Sequence, residues 1–132
     1  MADMQTTPPA SDVDPDVLRN LLQRIPLGAA QTILITRGAQ LLTFRGALKQ
    51  VEAQDVAMHV DQEWRDTGQT MRVQFMRLPL SPLSRLLVIH PLRDAYRLIL
   101  VDSEDAALEP LRKLSNQLLS VLDIAGIGQK RV

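Results

Sequence analysis

The amino-acid sequence predicts an α+β domain in the order αββαβββα, with a five-stranded mixed sheet and helices on both faces. Three observations carry this expectation. Apolar residues recur at helical spacing in three separate stretches. A hairpin of two short strands separates the first stretch from the second, and three strands separate the second from the third. Two of those three strands are continuously apolar, which places them inside a sheet covered on both sides.

The first helix opens at Asp14-Pro15-Asp16. Asp14 can cap free amides, Pro15 suits the first helical position, and Asp16 favours the positive end of the helix dipole. Val17, Leu18, Leu21, Leu22 and Ile25 form its apolar stripe, and Pro26 with Gly28 stops it. Thr32 to Thr36 is β-branched and short, hence a strand. Arg37-Gly38-Ala39-Gln40 then turns the chain into Leu41-Leu42-Thr43-Phe44. The tripeptide Arg-Gly-Ala occurs at Arg37 and again at Arg45, without a surrounding repeat.

From Lys49 to about Asp66 the period is helical, with Ala53, Ala57, Val60 and Trp64 on one face. Trp64 is expected to pack beneath that helix. At roughly 100° per residue, Val51 and Met58 point nearly opposite the stripe. Thr67-Gly68 ends the helix. Met71, Val73 and Phe75 alternate with Arg72 and Gln74, the period of a half-exposed edge strand running to Leu78. A proline-marked loop, Leu78 to Pro82, leads to the buried strands Leu86–Ile89 and Leu98–Val101, joined by a tight turn over Pro91 to Ala95. The last helix follows Asp102 to Asp105 and turns Leu108, Leu111, Leu114, Leu118, Val121 and Leu122 inward. Residues 1–11 and 124–132 are read as flexible tails around a domain at 12–123.

Composition narrows the function classes. Lys plus Arg and Asp plus Glu are 15 each, so no global field draws the chain to nucleic acid or an anionic membrane. Trp64, Tyr96, Phe44 and Phe75 are the only aromatics, too few for base-stacking platforms. The absence of cysteine excludes disulfides, thiolate zinc sites and a thiol nucleophile. No apolar run approaches the roughly 18 residues of a membrane span, and residues 1–11 lack a signal-peptide layout. A cytoplasmic location without membrane insertion is expected.

Candidate chemistry is sparse. Asp12, Asp14 and Asp16 alternate as at the start of a calcium loop, but Val17 and Gln23 occupy the positions that need Gly and Glu. Helix capping explains them instead. His59 has Asp55 and Glu63 one turn away on either side, which suits a carboxylate-paired surface histidine or a pH-responsive interface residue. His90 ends a buried strand and reads as structural. No zinc spacing, phosphate loop or nucleophile elbow is present. Gly126-Ile127-Gly128-Gln129-Lys130 lacks the Walker spacing, and Ser81-Pro82 is an ordinary loop sequence. Arg72, Arg77, Arg85, Arg93 and Arg97 fit a solvated strand face; an arginine supplied in trans to a GTPase is the sharper alternative. No metal, cofactor or catalytic residue is assigned.

On these segments, over roughly Asp14 to Leu122, the chain resembles the roadblock/dynein light-chain family of the profilin-like and longin-like folds. The residues that carry the likeness are the hairpin Ile33 to Gly38, Gly46 after the second strand, the Ala-rich middle helix, and the strands Leu87 to Leu92 and Leu98 to Val101. The family often places an acidic residue with Gly in the first hairpin, where this chain has Arg37-Gly38. The resemblance implies a non-catalytic dimeric scaffold or regulatory module that binds a small Ras-like GTPase or an adaptor complex. A PAS-like or profilin-like domain that senses a small molecule between sheet and helix is the alternative.

The expected self-association, with a second copy or a related chain, uses Val51, Met58, Met71, Val73 and Phe75. The free edge of the Met71–Leu78 strand serves as the pairing template. The expected partner platform is the outer face of the middle helix: Glu52, Asp55, Met58, His59 and Gln62.

Overall fold

The computed structural model describes residues 14–63, 71–78 and 83–127. Their elements are α1 (Pro15–Leu22), β1 (Thr32–Arg37), β2 (Gln40–Gly46), α2 (Gln50–Glu63), β3 (Arg72–Arg77), β4 (Ser84–Pro91), β5 (Tyr96–Ser103) and α3 (Leu108–Ile124). The expected αββαβββα order is present on one sheet. Its five strands lie in the order β2-β1-β5-β4-β3. Every neighbouring pair is antiparallel, so the sheet is not mixed as the sequence suggested. The cause is connectivity. Short connections join β1 to β2, β3 to β4 and β4 to β5, while the one helical crossover, through α2, links the two edges of the sheet rather than two neighbours.

The helices divide as expected. α1 and α3 pack with Ile33, Ile35, Leu86, Val88, Leu98 and Leu100 on one face. α2 alone packs with Leu34, Leu87, Ile89, Ile99 and Val101 on the other. Strands β1, β4 and β5 are thereby covered on both sides, which is why they read as continuous apolar runs.

Local chemistry fixes the ends of these elements. The Asp16 amide donates to Asp14 Oδ1 at 2.9 Å, and Pro15 takes the first helical position. The far end of α1 is capped from outside: Arg45 Nη1 donates to the carbonyls of Leu22, at 2.8 Å, and Ile25. Gly46 follows Arg45 at φ +134°, where a Cβ would stand 2.2 Å from the Gln31 carbonyl oxygen. Only glycine fits that crossing.

Three expectations about the helices change. Val17 is 46% and Leu108 54% exposed, so neither joins its helix's buried stripe. Val56 does join that of α2. The described residues also continue past residue 123, to 127. Gly126 adopts φ +92° and donates to the Asp123 carbonyl, while Ile127 donates to that of Leu122 and is fully buried. These two bonds form a Schellman motif, whose usual apolar contact is made here by Ile127. Trp64, the prolines of the Leu78–Pro82 loop, Ser81 and Gly128 to Val132 lie outside the described residues, as do residues 1–13.

Candidate interaction surface

α2 separates a buried face from an outward one. Ala53, Val56, Ala57 and Val60 recur at helical spacing and are buried. The platform residues Glu52, Asp55, Met58, His59 and Gln62 are spaced i, i+3, i+6, i+7 and i+10, and none is buried. Val51, 54% exposed, stands one heptad before Met58, which is 50% exposed. Met58 is thus an apolar centre among polar neighbours.

Those neighbours are not equally available. Glu52 Oε1 accepts from the Lys49 amide at 3.0 Å and so caps its own helix. His59 Nε2 stands 3.2 Å from Glu63 Oε1, so Glu63 rather than Asp55 is its partner. Glu63 also accepts from Gln74 Nε2 at 3.2 Å, which ties the end of α2 to β3. Asp55 makes no hydrogen bond or ion pair among the described residues. It is the least committed charge on the platform.

The five residues expected at a dimer contact fall on two sides of the sheet. Val73 pairs with Val88 and Phe75 with Leu86, and directly paired residues share a face. Val88 and Leu86 belong to the α1/α3 core. Met71, Val73 and Phe75 therefore lie opposite α2, whereas Val51 and Met58 sit on α2 itself. The alternate residues Met76 and Leu78 face α2 and are buried.

A groove of about 150 Å³ runs beside that strip, between β3 and β4 and the first half of α3. Met71, Val73, Val88, Leu108 and Leu111 supply its apolar wall, with Glu109, Arg112 and Ser115 along it. The Ser115 hydroxyl is buried and has no hydrogen-bond partner among the described residues. α3 contributes Leu108, Leu111 and Ser115 at helical spacing, a row in which the serine was hidden among leucines.

Other polar groups settle into structural roles. Arg97 is buried, not solvated. Its Nη1 donates to Asp61 Oδ1 at 2.9 Å and to the Gly38 carbonyl at 3.3 Å. Arg93 pairs with Asp94 at 3.5 Å, and Arg72 and Arg77 are exposed. His90 is buried on the α1/α3 face, its Nε2 has no hydrogen-bond partner among the described residues, and burial pushes its pKa below the ordinary imidazole value. Asp14 and Asp16 serve the start of α1. Among the described residues no group of three metal-ligating side chains occurs, and no helix is long and apolar enough to cross a membrane.

Comparison with known proteins finds no matching family model and no matching characterised sequence.

Proposed function

We propose that the chain is a non-catalytic dimeric scaffold or regulatory module, with the outer face of α2 as its platform for a small Ras-like GTPase or an adaptor complex. The observation that carries this reading is the half-exposed Met58, ringed by Glu52, Asp55, His59 and Gln62 on one helix face. An apolar anchor surrounded by polar groups is the common layout of a binding hot spot. The αββαβββα order on one sheet, with α2 alone on its face, supports the likeness to the roadblock/dynein light-chain family. A cytoplasmic location goes with this reading.

The exposed edge β3 supports self-association with a second copy or a related chain. A second functional reading, a small-molecule sensor, draws on the groove between sheet and α3 and on the unpartnered Ser115 hydroxyl. The experiment that tests the first reading is capture of purified small Ras-like GTPases, loaded with GTP or GDP, on the immobilised chain. Saturable binding that differs between nucleotide states is expected. Absence of binding in both states counts against the GTPase assignment.

A further inference from the structure

The groove between the first half of α3 and strands β3 and β4 has a floor and a rim of different character. Val88 and Leu111 are buried at its floor, while Met71, Val73 and Leu108 stand exposed around it. Ser115 is the one polar residue of the lining that is buried, at 2% exposure. Its hydroxyl makes no hydrogen bond among the described residues. A serine inside a helix ordinarily settles its hydroxyl in solvent or on the carbonyl one turn back, and this one does neither. We infer that the groove binds a small neutral molecule with an apolar body and one hydrogen-bonding oxygen, and that the Ser115 hydroxyl is the partner of that oxygen. This rests on the small-molecule reading above and adds to it the class of ligand and the residue that selects it.

Three properties of the lining set that class. The first is size. A volume of about 150 Å³ matches an apolar cavity that takes up benzene, so a body of about six or seven non-hydrogen atoms fills it. The second is polarity. An ordered water needs roughly two to four polar partners, whereas the side chains beside Ser115 at the floor are those of Val88 and Leu111. An oxygen carried on an apolar body meets the hydroxyl and the hydrocarbon wall together.

The third property is charge. Glu109 and Arg112 are exposed along the groove, opposite in sign and one helical turn apart. Their fields offset each other, and Glu109 already meets the positive end of α3 from its first turn. The lining therefore favours neither an anion nor a cation. An ionised group would also lose its hydration at a floor that holds no charge. Ser115 lies one turn beyond Leu111 and two beyond Leu108, at the inner end of this row. Its hydroxyl both donates and accepts, so the oxygen of an alcohol, a phenol or a ketone can pair with it.

Phenol and toluene separate the hydroxyl's role from that of the apolar wall, because they match in size and differ by a hydroxyl in place of a methyl. Ser115→Ala removes a group that makes no bond in the fold, so the variant should keep the parent's melting temperature. Each compound is titrated into the full chain and its variant, and amide NMR shifts report both affinity and location. Saturable shifts with phenol are expected at Val73, Val88, Leu111 and Ser115. In Ser115→Ala the affinity for phenol is expected to fall roughly threefold to tenfold, while that for toluene stays the same or rises. Benzoate is expected to bind more weakly than phenol. Equal changes for phenol and toluene overturn the role of Ser115, and tighter binding of benzoate overturns the neutral class; either result leaves the small-molecule reading standing. No saturable shift at these residues with any of the three, up to about 10 mM, overturns both.

Discussion

Arg97 and Asp61 join the central strand of the sheet to α2 at 2.9 Å, across 36 residues of sequence. The guanidinium is buried, with 9% of its side chain exposed, while Asp61 keeps 36%. A charge this far from water depends on its partners, and losing Asp61 removes the carboxylate that faces it at 2.9 Å.

Asp61→Ala is therefore expected to cost about 2–4 kcal/mol, discounted from the fully buried case because Asp61 touches solvent. The double variant Asp61→Leu with Arg97→Met should recover most of that loss. Urea denaturation of the two variants checks this. Equal destabilisation by both would show that packing, not the stranded charge, sets the cost.

His90 gives a pH dependence with a definite sign. Its folded pKa lies below 6.5, because burial disfavours the imidazolium. Between that ordinary value and the lower folded one, the unfolded chain binds more protons than the folded chain. Stability is full above this window and falls as pH drops through it. His90→Leu should lose less stability than the parent between about pH 7.5 and about pH 5.5. Parallel stability profiles for the two proteins would remove His90 as the cause.

The two Arg-Gly-Ala sequences predict opposite tolerance to a methyl group. Gly38 has φ +57° and open space around it, whereas Gly46 has φ +134° and backbone at 2.2 Å. Gly38→Ala should cost about 1 kcal/mol, the usual left-handed penalty. Gly46→Ala should cost about 3 kcal/mol or more, because the Gln31 and Thr32 backbone must move. Thermal melts of both variants test the order, and a Gly46→Ala protein as stable as Gly38→Ala contradicts the packing described for β2.

What the sequence disclosed, and what it concealed, follows from the range of the interactions involved. The central strands were legible because burial on both faces leaves a continuous apolar run at Leu86–Ile89 and Leu98–Val101. β3 showed its period of two, but not which alternate set turns toward which helix. Met71, Val73 and Phe75 form one set, and the set on the α2 side joins the buried Met76 and Leu78 to the polar Arg72 and Gln74, so the pattern pointed the wrong way. The mixed-sheet expectation failed because helical periodicity in α2 does not reveal that its crossover joins two edges. Arg97 read as solvated because its partner lies on another element. Ile127 was recoverable: glycine followed by an apolar residue after a leucine row is a local signal for a Schellman end. Among the platform residues, the helical face was legible, whereas the commitment of Glu52 to its cap and of His59 to Glu63 needed side-chain geometry.

The affinity of a purified small Ras-like GTPase for the chain carrying Asp55→Lys and Gln62→Lys tests the platform most directly, because neither residue belongs to the expected dimer contact. Dimer mass and melting temperature are measured on the same sample. At least roughly a tenfold loss of affinity is expected, with the dimer and its melting temperature unchanged. Parent-like affinity in an intact dimer would contradict it, and would move the binding site off α2.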